Sequence, residues 1–284
     1  MNKTLQTGIR SVLYVAILTT VVGCAEHQTA MQPQTSVADE IQTQTAPEPS
    51  DAKGILLRMA HYLAQAPKFS VNISDTYDTV QASGQKIEFA ATRKVTLSRP
   101  NGLRVEHEES DGEKNIVLYD GKDITVFSLT KNVYAQTAKG GGIDEAVKYL
   151  LKDLNMRLPL AMLLVSQLPE GLERRTESLE YVEKTTIYGK PAHHLAASTE
   201  TVDYQVWIAE GPQPLPLRVV LTYKLTEGQP QFRAQFSNWD LAPQINDAQF
   251  TFTPPEGATK IAFLAQLPTI VPGASESPAH PGEK

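Results

Sequence analysis

Chemistry needs polar groups that converge, and the sequence of 284 residues offers few places where they could. His193-His194 is the most tempting pair for a metal. The residues around it alternate as in a strand, where neighbours point to opposite faces, so two adjacent imidazoles cannot grip one ion unless the strand breaks. The expectation is one buried, hydrogen-bonded imidazole and one exposed. The acidic run from Glu106 to Glu113 lacks the spaced Asp/Asn ligands of a calcium loop and reads as a solvated hairpin tip. Gly140-Gly141-Gly142 ahead of a helical stretch has the outline of a phosphate-binding turn. It lacks G-x-G-x-x-G spacing, and Asp144 with Glu145 would repel an anion at that helix end. No G-x-S-x-G, H-E-x-x-H, Walker or paired C-x-x-C pattern occurs. No catalytic residue, cofactor or metal site is therefore expected. With 26 basic against 32 acidic residues and a net charge of −6, the chain also carries no basic footprint for nucleic acid.

The single cysteine, Cys24, is better placed for chemistry. Lys3 and Arg10 precede an apolar run from Val12 to Val22, followed by Gly23. A basic start, an apolar stretch of about 7–15 residues and a small residue make a secretory signal. The run is short of the roughly 20 residues that span a bilayer. Val21-Val22-Gly23-Cys24 resembles the bacterial lipobox, which implies cleavage between Gly23 and Cys24 and acylation of the Cys24 sulfur and the new amino terminus. One chain binds a membrane marginally, whereas two or more anchor it stably. Ala25, rather than Asp, follows the cysteine, which by resemblance to lipoprotein sorting implies the periplasmic face of an outer membrane. Cleavage removes Lys3 and Arg10 but no acid, so anionic lipid repels what remains and the acyl groups must supply the attachment.

The elements that would position a site follow from composition and period. Residues 1–23 are the expected signal, and Cys24 with residues 25–51 the lipidated start of a tether. Residues 25–51 hold no aromatic, Lys or Arg and cannot offset their ordering entropy by burial, so a disordered tether averaging roughly 30 Å is expected. Residues 268–284, with four prolines, read as a flexible tail. Residues 52–267 form one domain. It opens with a helix capped by Ser50 or Asp51, with Ile55, Met59 and Leu63 on one face. Phe69, Val71 and Ile73, then Ile87, Phe89, Ala91, Val95 and Leu97, alternate with polar residues as half-buried strands do. Ser83-Gly84, Asn101-Gly102, Asp111-Gly112 and Asp120-Gly121 punctuate a meander that continues through strands near 115–119, 123–128 and 133–137.

The period then changes. A helix with Ala146, Val147, Leu150, Leu151 and Leu154 on its apolar face follows the glycines, and a second helix, apolar nearly all round, starts at Leu158-Pro159-Leu160. Strands resume at 179–187, 193–197, 202–208, 217–225 and 232–239, with a last one near 250–252. The expected class is α+β: a single curved antiparallel sheet of about ten or eleven strands, an incomplete half-barrel, with helices covering its concave face. Met156, Leu158, Leu160, Met162, Leu163 and Leu164 are the candidate lining of a hydrophobic cavity beneath those helices, with plain core packing the alternative for each.

Trp207-Ile208-Ala209-Glu210-Gly211, followed by Pro214-Leu215-Pro216-Leu217-Arg218, resembles the late strand–turn–strand of the lipoprotein-carrier (LolA/LolB-like) superfamily. Tyr119-Asp120-Gly121-Lys122 with Val133-Tyr134 is similar to its mid-barrel hairpin. More closely, residues 52–264 resemble a family of predicted periplasmic proteins of undefined function within that superfamily. Met59 to Leu63, Arg99-Pro100, Leu158-Pro159-Leu160 and Phe250 to Pro255 carry this likeness together with the hairpin. The resemblance implies a half-barrel with helices inserted as a lid over a cavity for acyl chains, and no defined catalytic set. The expected function is an outer-membrane-anchored periplasmic lipoprotein that binds an acyl chain or lipoprotein-like cargo without catalysis. An envelope sensor or assembly module binding another protein is the alternative, and a hydrolase with an unrecognised site a lesser one.

Overall fold

The computed structural model describes residues 51–154 and 158–263. The expected signal, the expected Gly23–Cys24 processing site, nearly all of the expected tether, the expected tail and Met156 lie outside the described residues.

Helix α1 (Ala52–Gln65) is capped by Asp51, whose carboxylate accepts the Gly54 N–H at 2.8 Å. It buries Ile55, Leu56, Met59, Ala60 and Leu63. Six strands follow: β1 (Lys68–Val80), β2 (Lys86–Ser98), β3 (Gly102–Glu109), β4 (Lys114–Tyr119), β5 (Asp123–Ser128) and β6 (Val133–Ala138). Five more come after a helical insertion: β7 (Ser178–Ile187), β8 (Lys190–Ser198), β9 (Val202–Ala209), β10 (Pro216–Tyr223) and β11 (Gln231–Asp240). A twelfth, β12 (Thr259–Lys260), is a two-residue parallel bridge to β6, too short to leave an alternation in the sequence. β1 pairs with both β2 and β11, so the two meanders join at one strand into a single open sheet ordered β12-β6-β5-β4-β3-β2-β1-β11-β10-β9-β8-β7. The α+β class and the single antiparallel-rich sheet are as expected.

The insertion between β6 and β7 holds α2 (Ile143–Lys148), a π-helical turn Tyr149–Asp153, a 3-10 helix Ala161–Leu164 and α3 (Leu168–Arg175). Two expectations are corrected here. The all-round apolar stretch starting at 158 is not a full helix but a turn leading into four residues of 3-10 helix, because Pro159 disfavours the helical conformation at Leu158 and Leu160 takes a left-handed φ of 67°. α3 has no counterpart among the expected elements; its two glutamates and two arginines mask a short apolar edge, of which Leu168, Pro169 and Gly171 are buried.

No strand forms at 250–252 either. Phe250 packs on Gly102, where a Cβ would sit 2.6 Å from the ring. The Phe252 ring lies 5.4 Å from Phe127 and 5.0 Å from Tyr134. The chain after β11 thus crosses the outer face of β3–β6 as an irregular strap, which accounts for burial of Leu118, Thr125 and Phe127 on that side.

Candidate functional site

Register turns scattered residues into rows on the inner face, the one beneath the helices. Phe69, Leu97, Leu103, Tyr119 and Ile124 form a bulky row across β1–β5. One step on, Val71, Val95, Val105, Val117, Val126 and Ala135 form a row of small side chains across β1–β6. Above this shallow floor lies a cavity of about 160 Å³, roofed by Val147, Leu150, Leu158, Leu160, Leu163 and Leu164. Trp239 closes one side; its indole N–H donates to the Pro216 carbonyl at 3.0 Å, which fixes the ring.

The third row is polar. Arg93, His107, Asn115 and Ser128 stand side by side on β2, β3, β4 and β5. Asp75 and Glu109 occupy the next level, both opposite Ala91. Asp75 is paired with Arg93 and is 2% exposed. Burial pushes its carboxyl above the ordinary range, and the Arg93 charge only partly opposes this. His107 Nε2 lies 3.1 Å from Glu109 and 3.4 Å from Arg93, while the Tyr77 hydroxyl donates to Glu109 at 3.5 Å. Burial is also the main cause that raises the Tyr77 hydroxyl. Asn115 is buried, lines the cavity, and its side chain has no hydrogen-bond partner among the described residues.

A second apolar compartment of about 390 Å³ lies over β9 and β10, between α1, α3 and the same roof segment. Leu158, Pro159, Leu160 and Leu163 face both spaces, so residues 158–163 are a partition as well as a roof. Of the remaining candidates, Leu164 borders the first compartment and Met162 the second. The left-handed conformation of Leu160 costs a non-glycine residue about 1–2 kcal/mol. The segment is pinned at its far end, where Asp144 accepts both the backbone N–H and the hydroxyl of Ser166. Arg99 lies 4.0 Å from Asp144 and donates to the Ala66 and Leu63 carbonyls at the end of α1. Burial lowers the Arg99 guanidinium, with Asp144 opposing the shift. The Tyr119 hydroxyl, raised by burial, donates to the Gly141 carbonyl at 2.8 Å. Helix α1, helix α2 and the roof are therefore tied through Arg99 and Asp144, which the sequence marks only as part of the Arg99-Pro100 likeness and as a first-turn acid, not as a tie.

The histidine pair does separate onto opposite faces, but both imidazoles are half-buried, which corrects the one-in, one-out expectation. His193 meets the Tyr181 hydroxyl at 3.3 Å, and burial lowers its pKa, with Glu210 opposing. His194 stacks on Trp207 at 4.0 Å and meets the Gln205 side chain at 3.0 Å. Arg218, opposite Trp207 in the register, covers that ring at 5.0 Å. The Trp207…Arg218 signature is thus an outer-face stack that holds β8, β9 and β10, away from both cavities. Among the described residues, no three His, Cys, Asp or Glu side chains gather as a metal-holding group, and no helix is long and apolar enough to cross a membrane.

A family model described as "Predicted periplasmic protein (DUF2092)" matches residues 52–264. No curated protein matches the sequence. Among solved structures, the chain is similar to an uncharacterized conserved protein from Thermus thermophilus, at 10% identity over 72% of this chain and 96% of that one, with a TM-score of 0.44. It is similar to the lipoprotein LppX of Mycobacterium tuberculosis at 14% identity over 69% and 100%, with a TM-score of 0.42. A LolA superfamily protein from Nitrosomonas europaea gives 12% identity over 71% and 97%, with a TM-score of 0.37.

Proposed function

The chain belongs to the DUF2092 family of predicted periplasmic proteins, and from that premise we propose that it is a non-catalytic binding protein of the bacterial envelope. It takes an apolar ligand, an acyl chain or the acyl chains of a lipoprotein-like cargo, between sheet and roof. Cys24 is acylated and holds the protein at the periplasmic face of the outer membrane. Residues 25–51 give the domain reach from that anchor.

One observation carries this reading: the valine row leaves an apolar space that the leucine-rich roof covers but does not fill. At about 160 Å³ the first compartment suits a ring or a short stretch of chain, in the range of an apolar cavity that takes benzene. A long chain needs the second compartment as well, so the 158–163 partition must shift on loading. Each buried CH₂ then contributes about 0.8 kcal/mol. The apolar contacts set no demand on chain identity.

The test is extraction of the protein, purified without detergent and without its own acyl groups, followed by mass spectrometry. Acyl-bearing molecules recovered near one per protein support the reading. Repeated recovery of empty protein that also refuses added acyl chains sinks it.

A further inference from the structure

A cavity meant only for hydrocarbon has no use for charged or amide-bearing side chains in its wall, yet the first compartment has three. Arg93, His107 and Asn115 all line it and occupy one continuous row of the register. Burying such groups costs stability unless they are paired. Arg93 is held by Asp75, and His107 by Glu109. Asn115 is 7% exposed, and its amide makes no hydrogen bond to any described residue. Arg93, His107 and Asn115 also border an open groove, so the unpartnered amide leaves one donor group and one acceptor at the wall that groove and cavity share.

We propose that this row is a recognition site for the polar end of the ligand, and that the ligand is an uncharged, hydroxyl-bearing acyl ester, not a free fatty acid. The inference rests on the cavity reading above and names its ligand class. Charge decides against an anionic head. Asp75 and Glu109 set two carboxylates against the single guanidinium of Arg93, so a further carboxylate or phosphate meets no surplus positive charge. His107 Nε2 faces both Glu109 at 3.1 Å and the Arg93 guanidinium at 3.4 Å, which leaves Nδ1 as the ring nitrogen open to a ligand. An ester carbonyl accepts from the Asn115 amide, a hydroxyl donates to His107 or to the Asn115 oxygen, and the chain lies along the valine row. No covalent step is involved.

The experiment compares 1-monolauroylglycerol with laurate, measured by displacement of an apolar fluorescent probe from the mature chain carrying Cys24→Ser, at pH 8. The wild-type pocket should prefer the glyceride by roughly tenfold, the value of about one well-made buried hydrogen bond. Asn115→Leu should lower that preference to about threefold or less while probe binding persists; Asn115→Ser serves if the leucine variant does not fold. Equal affinities, or tighter laurate, overturn the polar-end assignment and leave the cavity reading standing. An unchanged preference in both variants removes Asn115 from the role and overturns the assignment. Failure of the probe and both amphiphiles to bind the wild-type chain removes the cavity reading and this proposal together.

Discussion

The inner face of the sheet has two halves, and they are furnished differently. From β1 towards β11, β10, β9, β8 and β7, the rows read Ala234, Val219, Val206, Leu195, Tyr181 and Phe232, Leu221, Tyr204, Ala197, Leu179. Their only polar atoms are tyrosine hydroxyls, which meet His193 and Thr176 at 3.3 and 2.8 Å. From β1 towards β6, Asp75 and Glu109 lie level with Ala234, and Arg93, His107 and Asn115 lie one step on, level with Phe236. One half is covered by α1 and α3 and needs nothing beyond burial to stay folded. The other keeps charges that a well-packed apolar core would do without, often at no loss of stability. The contrast marks where the fold carries groups that burial alone does not require.

The most severe way to break the contrast is Arg93→Met. It strands the buried Asp75 carboxylate and should cost about 3–5 kcal/mol in urea unfolding. Adding Asp75→Leu should recover most of that, since the pair as a whole is replaceable. A double variant no better than the single one would mean that the polar row is needed for folding, and the functional reading of it would weaken.

Leu163→Asp tests what the halves share. A carboxylate in the partition faces both compartments, so acyl-probe binding should fall by about 100-fold while stability drops less than for Arg93→Met. Loss of stability without loss of binding would remove the partition from the site.

The pH dependence of stability separates two carboxylates on β1. Burial raises Asp75, so its contribution is fully present below the unfolded value near 3.8 and is lost as pH rises through the higher folded value. Asp78, on the outer face, has the opposite sign. Burial alone would raise it, but hydrogen bonds from Arg233 and the Gln231 N–H prevail and hold it low. Its contribution is present above about 3.8 and is lost as pH falls through the folded value. Urea titrations between about pH 3 and 7 should therefore show Asp78→Asn flattening the acid limb. They should show the Asp75→Leu/Arg93→Met pair flattening the decline above it. The smallest change is Arg218→Ala, which uncovers Trp207 in the apolar half and should cost about 0.5–1 kcal/mol, with no effect on probe binding.

Much of this was legible before the structure. Period-two alternation placed ten antiparallel strands within a few residues, because each has one face in a core, while β3 lay hidden under the acidic run read as a hairpin tip. The meander's Gly turns set their order. The roof was legible as apolar but not as irregular, since Leu158 to Val165 would read alike as a buried helix or a buried loop. Phe250-Thr251-Phe252 mimics a strand because the strap packs both phenyl rings on the sheet. The polar row was missed for a different reason. Glu106 to Glu113 suggested a solvated tip, yet the alternation of Phe69, Val71 and Ile73 runs on to Asp75, and Arg93 falls between Ala91 and Val95 on the apolar parity. Those two positions were the signal. Their convergence with His107 and Asn115 needed the register, which joins residues far apart in sequence.

The central claim is that the space above the valine row is built to be filled by a ligand. Acyl-probe affinity should be measured for the wild-type chain and for Val105→Phe, which fills that space from the floor while leaving the roof untouched. The wild-type chain should bind. The phenylalanine variant should stay folded, melt no more than about two degrees below wild type, and lose the probe by about tenfold or more. Undiminished binding by a folded Val105→Phe would contradict the claim.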